Sequence, residues 1–356
     1  MFSRLIPGAA LALLLVACGG AEPGPIGRLP ADLHSAEAAS VLQIPRKGGQ
    51  AELYGVPALT SLPWEERDRL GSITSLAGTS EDHHAVYLLD AKRQLQELDL
   101  RSGRAEPVLT GIRRATVGPS GAIYAVDTAG TVLRVSRGTV SRMRGKLSSQ
   151  ARALVGATGG DILVPVGGNA AGMDVFTTDA DPEQVALPRG PVSATEWGDL
   201  IAVGTDTGLV LYNNTGLPPF TTVDIDGGIR SVAFSPSGHR VYVIGKNASR
   251  VTIVDRFGRR VMGSISLPGP ASELRSDRLG RWLLVRPQSG DSIWVIDAAA
   301  DRLAGTAPGE WADDLPTVAG LSTLITRVGQ DIVARNLAAD GFPESGRVDG
   351  GAADLW

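Results

Sequence analysis

Between Phe234 and Asp255 the chain reads FSPSGHRVYVIGKNASRVTIVD: a turn, an apolar run, a second turn, another apolar run and an aspartate. Two runs rich in Val, Ile and Tyr, joined by Gly, Asn and Ser, predict a β-hairpin. The pattern returns along the chain. With Gly238 of SPSG as a register mark, equivalents fall at Asp82, Gly121, Gly160, Gly198, Gly280 and Gly320, and successive marks lie 38 to 42 residues apart. A further alternating run precedes the marks, as in GIRRATV and GIRSVAF, and a weaker one follows, as in RRVMGSISL.

Four strands in each period of about 40 residues predict an all-β fold, a β-propeller built of four-stranded blades. A lone four-stranded sheet leaves both faces wet, so each blade needs a neighbour on either side, and closing the ring removes the free ends. The seven marks give seven blades. Eight blades, or seven with a strand-swapped closure, are the alternatives, because GGAADLW at 350–356 echoes GEWADDL at 309–315, one period earlier. The chain stops just as another innermost strand begins, unless it is a piece of a longer polypeptide. The expected division is a signal peptide over 1–17, a flexible spacer over 18–32, an N-terminal segment over 33–71 that can close the ring, and the propeller over 72–356.

The stretches VYVIGKNASRVTIVD and WLLVRPQSGDSIWVID resemble the YVTN family of extracytoplasmic seven-bladed propellers. The resemblance spans about residues 72–349. It implies a propeller fold, WD40-like in its blades, and a site outside the cytoplasm; it names no activity.

The amino terminus adds a location. After the single positive charge of Arg4, Leu5 to Ala17 is an apolar stretch of 13 residues, too short to cross a bilayer as a helix. It ends in Leu15, Val16, Ala17 and Cys18, which resembles the lipobox of bacterial lipoproteins, in which the cysteine is acylated and becomes the mature N-terminus. Each buried lipid CH₂ contributes roughly 0.8 kcal/mol, so two or more chains make a stable anchor. Gly19 in place of Asp implies, by the same resemblance, the periplasmic face of the outer membrane in a two-membraned cell. Cys18 is the only cysteine, so folding outside the cytoplasm rests on packing without disulfides.

Composition changes the picture little. The chain of 356 residues is 43% hydrophobic and 20% charged, with 45 Gly and 22 Pro to punctuate short strands. Its net charge of −4 offers no general attraction to nucleic acid or to an anionic membrane surface.

Catalytic chemistry is scarce. The four histidines are His34, His83, His84 and His239; the adjacent pair opens a strand and faces opposite sides, and His239 lies in a turn. No nucleophile elbow, zinc-protease motif or phosphate loop occurs. Asp179, Asp181 and Glu183 have the alternate spacing of a calcium loop but lack its Gly and distal Glu, and read as a polar hairpin loop. Arg134, Arg137, Arg142, Arg144, Lys146 and Arg152 form the densest basic stretch and read as a charged rim that blocks edge pairing. No catalytic residue, metal or cofactor is expected.

One register stands out. Eight residues before each mark, near the start of each innermost strand, stand Thr74, Arg113, Arg152, Gly190, Arg230, Ser272 and Ala312. One position on, Glu273 and Asp313 follow. Arg113, Arg152 and Arg230 would then share one mouth of the channel and suit an anionic ligand or acidic peptide. The function expected is a lipid-anchored, non-catalytic binding or scaffold module for an envelope protein or polymer, tethered to the membrane and binding no nucleic acid. The alternatives are a lactonase or hydrolase with carboxylate ligands from several loops, and a lipoprotein of an outer-membrane assembly complex.

Overall fold

The computed structural model describes residues 40–355 except 65, 81, 83, 119, 148–154, 157–161, 167–171, 177–179, 196–199, 214–218, 220, 278, 312–317, 319–321 and 352. The described chain is all β. Seven sheets have four strands, all paired antiparallel, and six of them are meanders that carry the marks from Asp82 to Gly280. Six are contiguous in sequence, over 73–109, 112–146, 155–186, 192–224, 229–266 and 271–308. The seventh is stitched from both ends of the described chain: Ala353–Leu355 pairs with Ser40–Pro45, followed by Glu52–Gly55 and Thr60–Ser61. A further sheet has three described strands, Thr323–Val328, Asp331–Asn336 and Glu344–Asp349. Where its innermost strand would start, Glu310 bridges to Arg327.

The middle strands of the blades are nearly continuous apolar runs because both of their faces are covered. In Arg240–Gly245, Val241 and Val243 enter the cluster shared with the preceding blade, while Tyr242 and Ile244 enter the cluster shared with the following one. These four side chains are buried, and full burial of each such side chain is worth about 1.5–3 kcal/mol. The same division places Leu283 and Val285 on one side of their strand and Trp282 and Leu284 on the other. Among the described residues there are eight apolar clusters, each drawn from two consecutive sheets, and the last joins Val41 and Tyr54 to Ile325 and Ile332. Taken in order they return to the start. The fold is a closed β-propeller, seven four-stranded blades with the three-stranded sheet completing the ring.

The register mark has a physical cause. Gly121, Gly238 and Gly280 have φ of +70°, +68° and +72°, a left-handed turn that a side chain disfavours. A polar side chain a few residues before this position then staples the hairpin. The N–H groups of Ala85, Leu200, Arg240 and Trp282 donate to Ser80 Oγ at 2.9 Å, Thr195 Oγ1 at 3.2 Å, Ser235 Oγ at 3.0 Å and Asp277 Oδ1 at 2.7 Å. The trailing aspartate of the quoted stretch starts the next turn: Asp255 Oδ1 accepts from Phe257 N–H at 2.9 Å, as Asp297 does from Ala299 at 3.0 Å.

Candidate functional site

Innermost strands line the channel of a propeller, and four of them break register at the same place. The ladder skips one residue between Ile73 and Ser75, Ile112 and Arg114, Ile229 and Ser231, and Ala271 and Glu273. The skipped residues are Thr74, Arg113, Arg230 and Ser272, four members of the register eight residues before the marks. A bulged residue leaves the ladder and its side chain is re-aimed. Sequence spacing alone finds the position; the bulge that makes it special is visible only in the pairing.

The two kinds of bulge residue behave differently. Thr74 Oγ1 donates to the Leu89 carbonyl at 3.0 Å, and Ser272 Oγ to the Arg286 and Pro287 carbonyls at 3.2 and 3.1 Å. Short hydroxyls are thus consumed by the neighbouring strand of their own blade. Arg113 and Arg230 are exposed and form no hydrogen bond or ion pair with any described residue. Each presents a full positive charge and a planar fork suited to carboxylate or phosphate. Arg152 lies outside the described residues, as do Ala312 and Asp313.

The expected acidic counterpart at Glu273 is not free. Its carboxylate accepts from Arg275 Nε at 3.3 Å and lies 3.6 Å from Arg286 Nη1. Arg275 in turn stacks over the Trp311 ring at 4.6 Å. One carboxylate set between two guanidinium groups is neutralised locally, so the division of the mouth into a basic and an acidic half is not seen at Glu273. Sequence reasoning missed Arg275 and Arg286 because they lie on different registers and meet only through the antiparallel pairing of Glu273 with Arg286.

Neighbouring blades are also tied to one another by side-chain hydrogen bonds. Ser231 is buried, and its Oγ accepts from Leu274 N–H of the next blade at 3.1 Å. Arg327, buried as well, donates from Nη2 to the Ala353 carbonyl at 2.6 Å. Such bonds fix the spacing of the blades around the channel, and with it the positions of the bulged arginines.

Two clefts lie on outer parts of the blades. One, of about 540 Å³, is lined by Glu66, Glu97, Asp99, Glu106, Arg101 and Arg104. There the Arg104 guanidinium binds both Glu66 oxygens and holds that carboxyl below its ordinary range. The other, of about 410 Å³, sets Arg142, Arg144 and Lys146 against Asp181. The basic stretch is therefore partly a groove wall, and Asp181 of the supposed calcium loop faces cations; Asp179 lies outside the described residues. Among the described residues no group of three His, Cys, Asp or Glu side chains converges as a metal site. His239 packs edge-to-face on Phe257 at 5.1 Å, and the backbone N–H of His84 donates to Asp82 Oδ1 at 3.2 Å. His34, His83 and Cys18 lie outside the described residues.

No family model matches the chain, and no curated protein matches it in sequence. Solved structures do match in shape. Dihydro-heme d1 dehydrogenase NirN, in complex with DHE, superposes with a TM-score of 0.59 at 14% identity, over 94% of this chain and 78% of that one. Apo AztD from Citrobacter koseri superposes with a TM-score of 0.62 at 12% identity, over 89% of this chain and 96% of that one. At such identities the likeness extends to the fold alone.

Proposed function

We propose that the protein is a lipid-anchored, extracytoplasmic propeller that acts as a non-catalytic binding module, holding anionic groups of an envelope protein or polymer at one mouth of its channel. The observation that carries this reading is the pair Arg113 and Arg230. Both occupy bulges in innermost strands, both are exposed, and neither is neutralised by a described residue. An arginine kept for packing or for an internal ion pair would have a partner of the kind that Arg275 and Arg327 have. Arg152, at the same sequence register one repeat after Arg113, joins them in this proposal.

The anchor belongs to the same reading. The lipobox-like sequence from Leu5 to Cys18 supports it, and Gly19 in place of Asp supports the outer membrane in a two-membraned cell. A fixed module with an anion-binding mouth suits a partner that is itself immobile in the envelope.

The test is a titration of the purified propeller with poly-glutamate, comparing wild type with the Arg113→Ala/Arg152→Ala/Arg230→Ala variant. Loss of binding, with a weaker salt dependence in what remains, is the expected result. Equal affinities would end the proposal. Mass spectrometry of the mature protein tests the anchor: Cys18 should carry acyl chains, and Cys18→Ser should release the protein from the membrane fraction.

A further inference from the structure

The outermost strands carry four glycines among the described residues: Gly145, Gly263, Gly305 and Gly346. Three of them are contact points for the following blade. A Cβ built on Gly145 would meet Pro182 at 2.2 Å, one on Gly305 would meet the Phe342 ring at 2.9 Å, and one on Gly346 would meet the Ala58 backbone at 2.4 Å. Each time, a residue from the last turn of the next blade rests on the bare backbone of the preceding outer strand. The fourth breaks the rule. A Cβ on Gly263 meets nothing within 4 Å.

The local sequence explains the exception. Gly263, Gly305 and Gly346 each follow the extra residue of a bulge, namely Met262, Ala304 and Ser345. The last turn of each following blade holds a non-glycine residue in the left-handed region: Asp301 (φ 51°), Phe342 (φ 51°) and Leu59 (φ 52°). Phe342 and Leu59 are buried apolar side chains in the clusters between their blades. Asp301 is polar, and its carboxylate is drawn away to Arg240 Nη1 at 2.7 Å. The position over Gly263 is left open by that substitution.

The surroundings of the open position are apolar and basic. Phe257 is 65% exposed, Met262 52% and Val261 44%, whereas the equivalent bulge residues of the next two blades are Ala and Ser. The strand Arg260–Ser266 hydrogen-bonds on one side only, to Arg250–Asp255, and its outer edge is unpaired. Other outer strands carry blocking residues: Pro107 in Ala105–Leu109, and Arg142, Arg144 and Lys146 in Thr139–Lys146. Arg256 stacks on Phe257 at 4.2 Å, and none of Arg256, Arg259 and Arg260 forms an ion pair with a described residue. Asp255 is the one carboxylate in the adjoining turn, and it accepts from the Phe257 N–H.

We propose that this edge is a docking site for an extended acidic segment of a partner protein, whose aromatic side chain fills the place over Gly263 as the Phe342 ring does over Gly305. The exposed apolar side chains supply the contact, the arginines select the charge, and the unpaired edge accepts an extended backbone. The site is separate from the channel mouth and does not rest on Arg113 or Arg230.

The probe is a fluorescein-labelled acidic heptapeptide with a central phenylalanine, followed by anisotropy, with an alanine-centred peptide as its control. Wild type should bind the phenylalanine peptide more tightly than the control. Measured in the Arg113→Ala/Arg152→Ala/Arg230→Ala background, which removes the channel-mouth arginines, Gly263→Leu, which fills the open position from within, and Arg259→Glu/Arg260→Glu should each weaken binding of the phenylalanine peptide about tenfold or more. A thermal midpoint of Gly263→Leu matching wild type shows that the fold is intact. Equal affinity for the two peptides, or an affinity that Gly263→Leu leaves unchanged, overturns the proposal. So does a dimer in sedimentation equilibrium that Met262→Asp dissolves, since the edge would then belong to a second copy of this chain.

Discussion

The Arg327 guanidinium donates to the Ala353 carbonyl at 2.6 Å, tying the three-stranded sheet to the strand that closes the ring. Arg327 is buried, and its own carbonyl accepts from Glu310 N–H at 2.8 Å, so one residue holds the inner edge of its sheet on two sides. The closing strand is short, three residues paired with Ser40–Pro45, and depends on such ties.

Replacing Arg327 by Met keeps the volume and removes the donor. The buried Ala353 carbonyl is then left unpaired, which costs about 1–3 kcal/mol. Urea denaturation should show this as a lower midpoint with an unchanged slope. A midpoint equal to wild type would mean that the bond contributes nothing to closure.

The glycines of the outer strands make a matched set. Gly346→Ala forces a methyl against the Ala58 backbone and should destabilise by about 1–3 kcal/mol, the cost of overpacking. Gly263→Ala enters open space and should be neutral or stabilising by up to about 1 kcal/mol, since Gly is disfavoured in a strand interior. Thermal melts of the two variants decide the matter; equal losses would contradict the open position at Gly263.

Ser231→Ala removes the acceptor for the Leu274 N–H, a bond between neighbouring inner strands. Loss of about 1–3 kcal/mol is expected from the buried unpaired donor. Hydrogen exchange should locate the effect, with faster exchange at Leu274 than elsewhere in its strand. Uniform acceleration along the strand would argue against a local role.

Asp277 gives a pH signature. Burial raises its pKa, and the backbone N–H groups of Trp282 and Leu279 oppose that shift. A carboxyl raised on folding contributes stability that is complete below its unfolded pKa and is lost as pH rises through the folded value. Asp277→Ser retains one acceptor, as Ser235 does for Arg240, and does not titrate. The stability of wild type relative to this variant should therefore fall as pH rises above the ordinary aspartate range, about 3.9. A difference that stays flat as pH rises would show that burial is not felt by the carboxyl.

Much of the fold was legible in the sequence because each blade repeats its turn chemistry. The left-handed glycine at 121, 238 and 280, and the aspartates at 255 and 297, mark turns through local backbone needs, which a single chain displays without its partners. Alternation was less visible where it mattered most: VYVI at 241–244 is uniformly apolar because both faces are covered. The stitched blade was weakly legible, since the pairing of Gln43 with Leu355 spans nearly the whole chain and no local rule announces it. Of the candidate site, the register of Arg113 and Arg230 could be counted out, while the bulges and the neutralisation of Glu273 depend on pairing. The open position at Gly263 could not be found by counting, because it arises from Asp301 standing where the next blade has Phe342.

The partnership of Gln43 with Leu355 also sets a timetable for biogenesis. The first described strand keeps one edge unpaired until Leu355 has been made. Until then the ring is open, and Val41 lacks its partners Ile325 and Ile332. Closure therefore cannot precede the synthesis of the three residues Ala353–Leu355, whatever the earlier blades have already achieved.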